Sequence, residues 1–142
     1  MNMYTATIRK SLAAVATCAA LFVSPALSAQ DTPEPTEGEI ELAEMLEGRV
    51  ASEAQSCIRL RPNTQVKMID RTALVYEVGS TLYVNIPRNA RSVDEDDTLV
   101  RRTISPTRLC NVEIITTIDR FNGFYTGNIS LGDFIPYHKA ES

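Results

Sequence analysis

The chain has 142 residues, a formal charge of −4, one histidine and three cysteines. That length allows one domain with a real core, near the size at which a covalent staple helps. The acidic balance argues against nonspecific binding to nucleic acid or to an anionic membrane surface, and one histidine with scattered cysteines makes a poor zinc set.

The opening MNMYTATIRKSLAAVATCAALFVSPALSAQ has the order of a signal peptide. Arg9 and Lys10 form a positive n-region, Leu12 to Val23 an apolar stretch, and small residues run to Ala29. The apolar run is short for a span of about 20 residues. Cys18 follows Thr17 and the apolar run continues past it, which argues against lipidation there. Cleavage near Ala29 predicts a soluble exported protein, periplasmic or secreted. Loss of Arg9 and Lys10 lowers the 14 basic residues to 12, against 18 acidic ones.

Cys57 and Cys110 then remain, 53 positions apart. In an oxidising compartment a single pair of thiols joins, so these two are expected to form a structural disulfide, tying the end of a helical cover to the start of a strand at Val112–Asp119. Closing a loop of this length contributes about 4 kcal/mol on chain-entropy arithmetic. No CxxC marks a redox pair, and a cysteine nucleophile would need His138 beside it, which nothing in the spacing supports.

Residues 30–39, QDTPEPTEGE, lack hydrophobic rhythm and read as a flexible acidic leader. From Ile40 the pattern turns helical, with Ile40, Ala43 and Leu46 on one stripe, Glu39, Glu41 and Glu44 near its start, and Gly48 as a C-terminal cap. Arg49 to Ser56 is expected to add a second short turn. In IRLRPN, Arg59 and Arg61 alternate with Ile58 and Leu60 before Pro62 interrupts pairing. Gln65 to Ile69 reads as a strand, with a tight change at Asp70-Arg71.

Thr72 to Ile86, TALVYEVGSTLYVNI, is the centre of the chain. It reads as a β-hairpin about Gly79-Ser80 in a type II′ turn, pairing Val78 with Thr81, Glu77 with Leu82, Tyr76 with Tyr83 and Val75 with Val84. Ala73, Val75, Leu82, Val84 and Ile86 share one face, with Glu77 beside the turn, and Leu74, Tyr76, Val78 and Tyr83 the other, with Thr81 and Asn85. Both faces are apolar, so both require cover.

Asp94 to Asp97, DEDD, invites a calcium reading, but it lacks the EF-hand glycine and terminal glutamate, and a solvated turn accounts for it better. A strand from Thr98 to Thr103 follows. Val112 to Asp119 is strongly β-branched, and Asn122-Gly123 predicts a two-residue hairpin pairing Phe121 with Phe124 and Arg120 with Tyr125. Gly132-Asp133 should bend the last apolar run, and Pro136 argues against a long central strand there.

The chemistry inventory is thin. No GxSxG, HExxH or glycine-rich phosphate loop occurs. Asp70, Glu77, Asp119 and Asp133 are the carboxylates a hydrolytic pair could draw on. Tyr76, Tyr83, Phe121, Phe124 and Tyr125 are the aromatic residues that could face a ligand or partner.

The segments CIRL, MIDRTALVYEVGSTLYVN, LCNVEIITTIDRFNGF and LGDFIPY resemble a family of small exported two-cysteine proteins from proteobacteria. The likeness covers roughly Glu47 to Tyr137. It implies a shared exported domain and supplies neither activity nor catalytic residues. Members of that family are often more basic across Ile86 to Asn89.

These readings predict a mainly β fold: a small antiparallel curled sheet or partly closed barrel with a short N-terminal helix packed against it. The expected organisation is a signal peptide (1–29), an acidic leader (30–39), one mainly β domain (40–138) and a tail (139–142). The expected function is a noncatalytic exported domain that binds an unidentified envelope component, a small ligand or a protein, with an envelope protein or small ligand as the expected partner. The alternatives are a small periplasmic hydrolase with a carboxylate pair, or a structural or inhibitory protein. No cofactor, metal or nucleic acid is expected, nor stable membrane insertion once the signal is removed.

Overall fold

The computed structural model describes residues 33–102 and 105–140. The signal peptide assigned to residues 1–29, the first residues of the acidic leader and the end of the tail lie outside the described residues. The elements are α1 (Glu37–Met45) and ten strands: β1 (Arg49–Ala51), β2 (Cys57–Arg59), β3 (Gln65–Ile69), β4 (Ala73–Val78), β5 (Thr81–Asn85), β6 (Asp97–Val100), β7 (Arg108–Cys110), β8 (Ile114–Asp119), β9 (Tyr125–Ser130) and β10 (Phe134–Lys139). The fold is mainly β with the short helix packed against it.

The expected curled or partly closed sheet does not form. The strands make three separate antiparallel sheets: β1-β10-β5-β4-β3, β6-β8-β9 and β2-β7. The reason is visible at the edge of β9. Arg88 N–H donates to the Ser130 carbonyl at 2.9 Å. The Asn89 side chain accepts from Ser130 N–H and donates to the Asn128 carbonyl, both at 2.8 Å. A loop therefore takes the bonds that a closing strand would need. Between β9 and β10, Asn85 takes the backbone of Gly132 in the same way.

The central hairpin keeps the expected register, with Val78 opposite Thr81, Tyr76 opposite Tyr83 and Val75 opposite Val84. Gly79 has φ +65°, and Ser80 stays outside the positive-φ region, the pattern of a type II′ turn. Residues Ala73 to Tyr76 are all buried, because each face of β4 has its own cover. One face, with Ile69, Ala73, Val75, Leu82 and Val84, packs under Leu42, Met45 and Leu46. The other, with Leu74, Tyr76 and Phe134, packs against Ile58 and Leu109 of the two-stranded sheet and Ile115 and Ile129 of the three-stranded one.

The helix starts earlier than Ile40. Thr36 Oγ1 accepts from Glu39 N–H at 3.3 Å and Glu39 Oε2 accepts from Thr36 N–H at 2.8 Å, a reciprocal capping box. Its inward stripe is Leu42, Met45 and Leu46 rather than Ile40, Ala43 and Leu46; Ile40 is 47% exposed. Gly38 permits the close approach: a Cβ there would fall on Thr72 Oγ1 and the Asp70 carbonyl oxygen. No helix of the described residues is long and apolar enough to cross a membrane.

Three further expectations are corrected. The segment after Gly48 is not a helical turn: Arg49–Ala51 pairs with β10, Val50 opposite His138. Pro136 does lie in an inner strand. Its carbonyl accepts from Ser52 N–H, so its missing donor faces the side where residues 52–54 leave the ladder between β1 and the Gln55–Phe134 bridge. The Asn122-Gly123 hairpin is not a two-residue loop. Tyr125 sits opposite Ile118 rather than Arg120, across a register shift at Thr117/Ile118.

Cys57 and Cys110 form the expected disulfide, with Cα atoms 4.0 Å apart. They are direct partners across the β2–β7 ladder. The bond joins two short strands, not the helical cover to the start of β8.

Candidate functional site

The five aromatic residues divide into three environments. Tyr76 is buried and meets the Phe134 ring edge-on, centroids 5.8 Å apart. Burial pushes its hydroxyl well above the ordinary phenol range; Arg101 pulls it down and Glu113 adds a smaller upward push. It is a core residue. Tyr83, opposite it, is half-buried and lines a cleft beside the disulfide. Phe121, Phe124 and Tyr125 are 88, 73 and 64% exposed and lie together at the β8–β9 turn.

That turn is held by its own polar groups. Asp119 Oδ1 accepts from Phe121 N–H at 2.9 Å and from Asn122 N–H at 2.8 Å. Asn122 Oδ1 accepts from Phe124 N–H at 2.8 Å. Asp119 N–H donates to the Phe124 carbonyl, and Gly123, at φ +73°, donates to the Asp119 carbonyl. These Asx-type bonds are why the loop opens beyond two residues. The Tyr125 hydroxyl accepts from Asn128 Nδ2 at 2.8 Å, and Asn128 Oδ1 accepts from Thr116 Oγ1 at 3.2 Å. The outward side of this sheet also carries the exposed Ile114, with Ile118 opposite Tyr125.

The carboxylates serve different parts of the molecule. Asp119 builds the turn. Asp133 Oδ1 accepts from Asn111 Nδ2 at 2.6 Å. Glu77 is exposed on β4, opposite Gln65. Asp70 lines a cleft of about 730 Å³ at the start of α1, with Arg71, Arg91, Glu37, Glu41 and Glu95. Charges of both signs meet there, and Thr36 already caps the helix end. In the DEDD turn, Asp94 Oδ1 accepts from Asp96 N–H at 2.9 Å, and the buried Asp97 accepts from Thr126 Oγ1 at 2.6 Å. His138 is exposed, its Nδ1 3.2 Å from Thr81 Oγ1. Among the described residues no group of three or more His, Cys, Asp or Glu side chains could hold a metal.

The second cleft, about 540 Å³, lies beside the disulfide and is lined by Arg59, Arg108, Tyr83, Gln55, Ser105 and Thr107. Tyr83 is among the aromatic residues expected to face a ligand or partner, whereas Arg59 and Arg108 are not among the expected site residues. The signal was present: Arg59 follows Cys57 by two and Arg108 precedes Cys110 by two, so an antiparallel disulfide pair sets the arginines opposite each other.

Comparisons with protein-family models, curated proteins and solved structures find no match.

Proposed function

We propose that this chain is an exported, noncatalytic binding domain that docks on an envelope protein through the Phe121, Phe124 and Tyr125 tip. The observation that carries the reading is three large aromatic side chains exposed on one internally braced turn. Rigid aromatic anchors are the residues that dominate binding energy at protein interfaces. Each can bury roughly 150–250 Å², so together they supply much of the roughly 800 Å² that one partner contributes to a standard interface. Ile118, opposite Tyr125 on the ladder, adjoins the tip. The backbone amides of Phe121, Asn122, Gly123 and Phe124 are engaged within the turn, so much of what it offers outward is ring surface. That chemistry suits an apolar groove on a protein better than a hydroxyl-rich glycan. The basic, apolar and small-residue order of residues 1–29 supports export to the periplasm or beyond, and the resemblance to small exported two-cysteine proteins of proteobacteria agrees with it.

The test is fractionation of cells that produce the protein. The wild type should sediment with the envelope and have an intact mass beginning near Gln30. A Phe121→Ser/Phe124→Ser variant should keep its melting temperature, because both side chains are exposed, yet move to the soluble fraction. The same distribution for both proteins overturns the docking surface, and a mass that retains residues 1–29 overturns export.

A further inference from the structure

The β2–β7 ladder has three cross-strand pairs: the disulfide, the buried Ile58 with Leu109, and Arg59 with Arg108. Partners in an antiparallel ladder project from the same face, and like charges directly opposite destabilise it. Among the described residues neither guanidinium makes an ion pair. Arg108 Nη2 reaches only Cys57 Sγ, a weak acceptor, at 3.4 Å. Glu113 does not neutralise them, because it is engaged by Arg101 Nε at 3.0 Å and by Cys110 N–H at 2.9 Å. Both arginines are exposed and line the same cleft of about 540 Å³ as Tyr83.

We propose that this cleft binds a small anion bearing a phosphoryl group, gripped between Arg59 and Arg108. A guanidinium is a planar fork of donors that matches phosphate oxygens two at a time. Two forks entering one cleft from opposite strands suit a tetrahedral group with three terminal oxygens better than a planar carboxylate. The disulfide sits two residues from each arginine and fixes the strand spacing, so little order has to be gained on binding. Tyr83 provides a flat wall for an organic substituent, and the cleft is far roomier than free phosphate requires. The acidic character of the whole chain does not oppose this, since at 0.1 M salt distant charges are screened beyond about 10 Å. The repulsion between the two arginines is the stability given up for the site. The cleft shares no residue with the aromatic tip, so it stands or falls independently of the docking surface.

The experiment is calorimetric titration of the purified protein with inorganic phosphate and with phenyl phosphate in 0.1 M NaCl. Saturable binding with one site per chain is expected. Tighter binding of phenyl phosphate assigns the site to a phosphomonoester, and equal or tighter binding of inorganic phosphate assigns it to the free ion. Arg59→Gln and Arg108→Gln should each weaken binding at least tenfold while the melting temperature holds or rises. Arg71→Gln, in the mixed-charge cleft, should leave affinity unchanged. The proposal is overturned by no saturable binding of either compound, by equal weakening in Arg71→Gln, or by arginine variants that lower the melting temperature and leave binding intact.

Discussion

Asn85 and Gly132 hold each other through two hydrogen bonds. Asn85 Nδ2 donates to the Gly132 carbonyl at 2.6 Å, and Gly132 N–H donates to Asn85 Oδ1 at 3.1 Å. Asn85 is fully buried at the end of β5, and a Cβ on Gly132 would fall on the Ile86 carbonyl oxygen. One side chain thus replaces the strand partner that the β9–β10 crossing lacks. Asn85→Leu keeps the branched outline at Cγ, in a somewhat larger side chain, but orphans a donor and an acceptor, each worth about 1–3 kcal/mol when buried. A loss of about 2–4 kcal/mol in urea unfolding is expected. A loss within the scatter of surface substitutions, about 0.5 kcal/mol, would show that the pair is not a structural tie.

The disulfide closes a loop that contains β2 to β7, the whole central hairpin included. Cys57→Ser or Cys110→Ser should cost about 2–4 kcal/mol. Reducing agent should produce the same drop in the wild type and none in either variant. A nonreducing peptide map that recovers two free thiols would contradict the bond.

Tyr76 predicts the behaviour at high pH. Its folded-state pKa lies above the ordinary value of 10.0, with burial the main cause. The neutral phenol is therefore what the fold accommodates. Its contribution is fully present below pH 10 and is lost as pH rises, because the unfolded chain ionises first. Melting temperature should fall more steeply above pH 10 in the wild type than in Tyr76→Phe. Parallel curves for the two proteins would remove Tyr76 as the cause.

Asp94 and Asp97 already accept hydrogen bonds from the protein itself. Addition of a chelator should leave the melting temperature unchanged. A large fall restored only by calcium would make the turn a structural cation site.

The central hairpin was legible because its signals are local: a glycine at the turn and alternation over five cross-strand pairs. Pro136 misled because its tolerance depends on residues 52–54, which leave the ladder far away in the chain. Asn122-Gly123 misled because Asp119, three residues earlier, captures the loop amides. The five aromatic residues could be placed on strands, but alternation gives a face, not what covers that face. Tyr76 is covered by Phe134, and Phe121 by nothing among the described residues. The arginine pair was readable only after the cysteines had been taken as direct ladder partners.

Strand β10 lies between β1 and β5, yet it follows both in the chain. A polypeptide leaves the ribosome amino end first, so the five-stranded sheet has a gap at an inner position until Phe134 to Lys139 arrive. Until then β1 has no neighbour and β5 shows a bare edge. A stop codon shortly before Phe134 would accordingly remove the keystone of the sheet, and a nascent chain that had made every other strand would still be unable to join β1 to β5.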